Sequence, residues 1–305
     1  MPENIIQTSG LNFRYSKKRP AIENLNLNVP KGSIYGFLGP NGAGKSTTMR
    51  LLTGIIPDDS NAISLFGKLI NEQMPDMFSR IGALVESPAL YLHLSGKDNL
   101  KYIARIKGIS ESRIDEILKI VELYDARNRK AKAYSLGMKQ RLAIAMALLS
   151  EPELLLLDEP VNGLDPAGIV EIRMLLVKLN QEHGVSIFVS SHLLSEIEKM
   201  CTHIGIIAKG KLRFEGSMAQ LSSQFSKCRV SLTLSDAAVW KDKLSGTYSE
   251  VEMISADKLS LLLPDKDSIP GFMQKLLSEG AKLYEVKIQD GLEEWFMELT
   301  SGKID

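Results

Sequence analysis

The sequence predicts an α/β fold built on a parallel sheet covered on both faces, followed by a smaller α+β region. Two apolar runs predict the sheet. Ile34–Leu38 is apolar throughout and passes through the glycine-rich Gly39–Gly44 into the helix-like Met49–Leu52. Glu153-Leu-Leu-Leu-Leu-Asp158-Glu159-Pro160 is apolar along its length and stops on two carboxylates. Unbroken apolar strands belong to sheets buried on both faces, and ligands of such sheets gather beyond the C-terminal strand ends. A change of texture after Gly216 marks the second region.

The first element to justify is the loop Gly39-Pro40-Asn41-Gly42-Ala43-Gly44-Lys45-Ser46-Thr47. Surrounding a polyphosphate requires small residues, exposed backbone N–H groups and a helix start aimed at the anion. Gly39, Gly42 and Gly44 meet that demand. Lys45 then reaches the β- and γ-phosphates, and the Ser46 hydroxyl becomes a ligand of the Mg²⁺ that travels with ATP. The full spacing between a strand and a helix predicts a P-loop nucleotide site.

The second apolar strand adds the groups such a site needs. Asp158 is placed to hold Mg²⁺, directly or through water, and Glu159 to polarise the attacking water. Between the two phosphate motifs lies Ala133-Tyr-Ser135-Leu-Gly137-Met-Lys-Gln-Arg-Leu142, running into the helical Leu142–Leu149. Ser135 reads as an N-cap, which presents a hydroxyl, backbone N–H groups and the positive end of a helix dipole to a second anion.

Composition narrows the setting. Among 305 residues, Lys plus Arg and Asp plus Glu both number 37, so no global field draws in nucleic acid or an anionic membrane, and no nucleic-acid partner is expected. Cys201 and Cys228 are the only cysteines and show no metal or redox spacing; both read as reduced thiols of a cytosolic protein. The opening Met1-Pro-Glu-Asn-Ile-Ile-Gln is unlike a secretory leader, and the longest apolar runs are too short to span a bilayer. Work at a membrane would therefore need another chain to span it.

The order of motifs resembles the ATP-binding subunits of ABC transporters, from about Ile5 to Glu215. Tyr15 in Asn12-Phe-Arg-Tyr-Ser16 is similar to the aromatic that stacks on adenine, and Gly39–Thr47 matches the Walker A loop. Ser135-Leu-Gly137 resembles the ABC signature, Leu154–Glu159 the Walker B strand with its catalytic glutamate, and Gly163-Leu-Asp165 the D-loop that crosses to a partner. Ser190-Ser-His192, after the strand-like Val185–Val189, resembles the switch histidine that contacts the γ-phosphate. The resemblance implies a P-loop ATPase with an antiparallel β subdomain and a helical subdomain at roughly 88–150, the whole spanning residues 1–216. It also implies a head-to-tail dimer in which Ser135, Gly137 and Asp165 act on the partner's nucleotide, and a separate membrane permease that places the chain on the inner face of the cell membrane. The segment Glu86–Tyr102, with Pro88, Tyr91 and Leu92, would carry motion to that permease.

Two departures from the family pattern stand out. Ile81-Gly-Ala-Leu-Val-Glu86 has a glutamate where most of the family has glutamine; a carboxylate there would bind Mg²⁺ more strongly but add negative charge near the γ-phosphate. Leu136 and Met138 replace the usual glycine and glutamine of the signature. With the long C-terminal extension, these features resemble ATPases of bacitracin and lantibiotic resistance exporters, which implies export of a peptide antibiotic. A soluble ABC ATPase, and a regulatory module that holds ATP with little hydrolysis, are the alternatives.

Beyond Gly216, strands read at Arg229–Leu234, Val251–Ile254, Leu259–Leu263 and Leu283–Ile288, with helices at Asp236–Leu244, Ile269–Leu277 and Leu292–Leu299. The order βαββαβ plus a helix predicts a small ferredoxin-like domain at 217–305, with Trp240, Trp295 and Phe296 as core or interface anchors.

Overall fold

The protein is described by a computed structural model covering residues 3–16, 20–85, 89–224, 228–289 and 291–300. The chain divides into two compact units, Met1–Met218 and Ala219–Asp305. Glu86 and Pro88 lie outside the described residues.

The first unit opens with β1 (Asn4–Thr8), β2 (Leu11–Phe13), β3 (Ile22–Leu25) and β4 (Asn28–Pro30), then β5 (Ile34–Leu38) and α1 (Lys45–Leu52). After β6 (Ile63–Leu65), β7 (Lys68–Leu69) and the short α2 (Ile70–Gln73) comes β8 (Ile81–Leu84), followed by α3 (Gly96–Lys107), α4 (Ser112–Ile120) and α5 (Leu136–Leu148). The unit closes with β9 (Leu154–Asp158), α6 (Pro166–His183), β10 (Ser186–Ser191), α7 (Leu194–Met200), β11 (His203–Ala208), β12 (Lys211–Ser217) and the start of α8 (Met218–Gln224).

A sheet of order β4-β1-β6-β7 and the β2-β3 pair, each antiparallel, form the β subdomain, while α3, α4 and α5 pack together as the helical one. The core is a six-stranded sheet of order β12-β11-β5-β10-β9-β8, parallel except for β12, with α1, α6 and α7 packed on its interior strands and α5 against β8. Leu154–Leu157 of β9 and Ile34–Leu38 of β5 are buried along their length, as strands sandwiched on both faces must be. Each fully buried leucine is worth about 1.5–3 kcal/mol over exposure, so β9 is anchored by its own composition.

Register positions the site. Ser190 lies opposite Phe37 of β5 on one side and Asp158 of β9 on the other, and Ser191 opposite Leu38. The C-terminal ends of β5, β10 and β9 are therefore level, and the segments that leave them begin side by side.

Helix ends follow local chemistry. Ser95 caps α3 and Gly108 closes it in left-handed conformation; Asp165 caps α6, Pro166 takes its first position and Gly184 closes it. α5 begins at Leu136 with Ser135 as its N-cap, as the sequence predicts: Ser135 Oγ accepts a hydrogen bond from the Met138 N–H at 3.2 Å. β10 runs to Ser191, past the expected end at Val189, because its ladder with β5 continues through both serines.

The second unit contains β13 (Cys228–Leu234), α9 (Ala237–Ser245), β14 (Ser249–Ser255), β15 (Lys258–Leu263), α10 (Ser268–Ser278), β16 (Leu283–Gln289) and α11 (Leu292–Thr300). Its antiparallel sheet has the order β14-β15-β13-β16, the ferredoxin-like arrangement. Val230, Leu232, Leu259 and Leu261 alternate onto the sheet face packed with Trp240, Phe272 and Leu276. Trp240 and Trp295 are buried.

Candidate active site

A cavity of about 820 Å³ lies beyond the level strand ends. Its floor is the loop after β5, through Asn41, Gly42, Gly44, Lys45, Ser46 and Thr47; Tyr15 and Ala21 line one side, and Glu159, Asn162 and His192 another. Gly39, Pro40 and Ala43 do not line it but shape the loop. The Ala43 N–H donates to the Pro40 carbonyl at 3.1 Å, and the Ala43 carbonyl accepts from the Gly210 N–H at 2.9 Å.

Two glycines of the loop are required by contact. A Cβ on Gly39 would stand 2.4 Å from the Ile207 carbonyl oxygen, and one on Gly44 would stand 2.9 Å from that of Ala21, at a φ of +117°. Both places sit where another backbone strand or turn passes directly against the loop.

Lys45 is buried, and its Nζ donates to the Gly39 carbonyl at 2.7 Å and lies 3.7 Å from Glu159 Oε1. Glu159 has a left-handed backbone, φ +50°, which turns its side chain back over the sheet end. Its Oε2 is 2.7 Å from His192 Nδ1. Lys45, Glu159 and His192 thus meet at one point on the cavity wall, although they leave three different strands.

Asp158, half-buried at the end of β9, accepts a hydrogen bond from the Ser190 hydroxyl at 2.5 Å. The Glu159 N–H donates to Ser190 Oγ at 3.0 Å and to its carbonyl at 3.2 Å. Tyr15 is 61% exposed, so its ring is open to a stacking partner; its edge is fixed by a T-shaped contact with Phe13 at 4.9 Å. Its hydroxyl lies 3.4 Å from Thr47 Oγ1 and accepts from Arg50 at 3.3 Å.

Ser135, Gly137 and Asp165 are not on this cavity. Ser135 and Leu136 are exposed at the start of α5, and an added Cβ on Gly163 would come within 3.5 Å of Leu136, so the Gly163–Asp165 turn and the α5 start share a surface. The Asp165 Oδ1 accepts the Gly168 N–H at 2.9 Å, which commits one of its oxygens to capping α6.

A relative from Enterococcus faecalis, a bacitracin transport ATP-binding protein BcrA, is 36% identical over 302 residues, covering 98% of this chain and 97% of that protein. The chain belongs to the ABC transporter ATP-binding subunits. The family model for ABC transporter matches residues 22–162. A lantibiotic transport ATP-binding protein SrtF of Streptococcus pyogenes is 46% identical over 198 residues, 65% of this chain and 85% of that one. Among solved structures, a dimeric post-hydrolysis state of the ATP-binding cassette MJ0796 bound to ADP and Pi is 25% identical, with a TM-score of 0.62 over 70% of this chain and 98% of that one. As an ABC ATPase the chain binds and hydrolyses ATP.

Sequence reasoning did not find Ala21 and Asn162 on the cavity, nor the role of Ser190 between Asp158 and Glu159. Ala21 and Asn162 carry no local signal. Ser190 opens the run Ser190-Ser-His192, but only the strand register sets it against Asp158. Among the described residues no helix is long and apolar enough to cross a membrane.

Proposed function

We propose that this ABC ATPase drives a separate membrane permease that exports a peptide antibiotic, working from the inner membrane face as a dimer. The observation that carries the site reading is the meeting of Lys45, Glu159 and His192 at the level strand ends. ATP lies with its adenine on Tyr15 and its phosphates over the N–H groups of Gly39–Thr47. Lys45 holds the β- and γ-phosphates, Glu159 polarises the attacking water and His192 contacts the γ-phosphate.

Mg²⁺ neutralises phosphate charge when bound with ATP. Ser46 and Asp158 would hold it, with Glu86 added from the segment outside the described residues. The donors fit such an ion: they are a hydroxyl and a carboxylate, both hard oxygen ligands. Among the described residues there is no cluster of three or more His, Cys, Asp or Glu side chains suited to a metal, in keeping with an ion that takes most of its coordination from phosphate and water.

Ser135 and Gly137 act on the partner's nucleotide, with Asp165 at the crossing turn. The exposure of Ser135 and Asp165 supports this reading, as does the dimeric state named for MJ0796. The exposed Tyr91, Leu92 and Tyr102 support a permease contact on the helical subdomain; Tyr91 and Tyr102 stack edge-on at 4.8 Å. Bacitracin and lantibiotic transport in the relatives' names support the substrate class.

The deciding experiment compares ATP turnover of the wild type with Glu159→Gln and Lys45→Ala. Glu159→Gln is expected to keep ATP binding and lose at least about 100-fold in turnover, and Lys45→Ala to lose binding. Equal turnover in all three would refute the assignment. Co-purification with a multi-spanning membrane protein, and loss of bacitracin or lantibiotic tolerance on deletion, test the transport reading.

A further inference from the structure

Ser190 is fully buried and stands directly opposite Asp158 in the parallel ladder of β9 and β10. Its single hydroxyl is used twice. It donates to Asp158 Oδ1 at 2.5 Å and accepts from the Glu159 N–H at 3.0 Å. The same N–H also reaches the Ser190 carbonyl at 3.2 Å. These bonds bear on two separate demands of the site.

The first demand is orientation of a carboxylate. With Oδ1 held, Asp158 cannot spin about its Cβ–Cγ bond, so the direction in which it meets a cation's hydration shell is fixed in advance. The second is backbone geometry. Glu159 adopts φ +50°, a left-handed conformation that disfavours a residue with a Cβ by about 1–2 kcal/mol. Ser190 offers two acceptors to the N–H of that residue, and the resulting turn aims the Glu159 carboxylate at Lys45 and His192. His192 itself follows Ser190 by two residues, so one strand end supplies both the pin and the histidine that the pinned glutamate meets.

We infer that Ser190 is a positioning residue of the ATPase site, setting the Asp158 carboxylate for metal–nucleotide binding and the Glu159 peptide for catalysis. The inference rests on the proposed roles of Asp158 and Glu159. It requires an acceptor-donor of hydroxyl size at this place, which alanine cannot supply and threonine can.

The test titrates Mn²⁺, as a paramagnetic stand-in for Mg²⁺, into the full chain with ATP. Binding is followed by electron paramagnetic resonance on the wild type, Ser190→Ala, Ser190→Thr and Lys45→Ala. Binding of a fluorescent ATP analogue in EDTA is measured alongside. Ser190→Ala is expected to raise the half-saturating Mn²⁺ concentration about 10- to 150-fold, the equivalent of about 1.5–3 kcal/mol for a hydrogen bond to a charged group. Metal-free analogue binding should stay within about twofold, and Ser190→Thr should restore the Mn²⁺ midpoint. If burial of the extra methyl unfolds the threonine variant, Ser190→Cys, a similar volume with a weak donor, is expected to follow alanine. An unchanged Mn²⁺ midpoint in Ser190→Ala, with binding lost in Lys45→Ala, would overturn the role of Ser190 alone. Unchanged binding in both would overturn the phosphate-site reading on which it stands.

Discussion

Replacing Gly39 by alanine adds one carbon where the structure has no room for it. The new Cβ would lie 2.4 Å from the Ile207 carbonyl oxygen, 2.8 Å from Ile207 Cγ2 and 3.0 Å from Ala43 Cβ. An unstrained C···O contact is about 3.3 Å, so the loop or β11 must move by roughly 0.9 Å. β11 is held by β5 on one side and β12 on the other, which leaves the loop as the part that yields. Overpacking of this kind costs about 1–3 kcal/mol, and in a unit of this size each kcal/mol lowers the melting temperature by about 2–4 °C. The Gly39 carbonyl also receives Lys45 Nζ at 2.7 Å, so the displacement reaches the lysine. A misplacement near 1 Å can cost about 100-fold in rate. Thermal melting of the full chain and steady-state ATP turnover measure the two effects separately. A Gly39→Ala protein with wild-type melting and turnover would show that the loop has freedom these distances deny, and the steric account of the glycine would fall.

Three further outcomes are expected. Asp165→Ala should lower stability by about 1 kcal/mol through loss of the α6 cap, and Asp165→Ser should recover most of it; equal melting of alanine and serine variants would mean the cap contributes nothing. Cys201 should resist alkylation in the folded protein and react after unfolding, because it is buried and desolvation pushes its thiol well above the usual cysteine range; rapid labelling at neutral pH in native buffer would contradict this. A chain ending at Met218 should still bind ATP, because the cavity is lined entirely from Met1–Met218; a soluble truncation without ATP binding would show that the second unit is needed to build the site.

The site was legible where chemistry is written in adjacent residues and hidden where it depends on register. The Gly39–Thr47 spacing, the carboxylates after Leu154–Leu157 and the strand before His192 each declare themselves locally, because a phosphate, a buried parallel strand and a turn each restrict nearby residue types. In the second unit, alternation placed all four strands within a few residues, since one face of that sheet packs on α9 and α10 and the period-two signal survives. Ser190 was different: nothing in a string of two serines tells which one faces Asp158, because that follows from how β9 and β10 align. The left-handed Glu159 was also unreadable, as glutamate carries no preference for that conformation. The start of α5, by contrast, is legible in Ser135, because a serine ahead of a helical run is a residue type that caps the free N–H groups of a first turn.

The level ends of β5, β10 and β9 make one half of this machine stiff. Sliding any one strand by a residue would displace its end by about 3.3 Å and turn its side chains to the opposite face, so small adjustments of the backbone there are forbidden by the ladder itself. Glu159 and His192, which follow closely on β9 and β10, therefore keep fixed anchors, while Lys45 stands beyond the glycine loop at the start of α1. The Gly39–Gly44 loop lies beyond the strand pairing, so a displacement there reaches Lys45 without shifting the sheet.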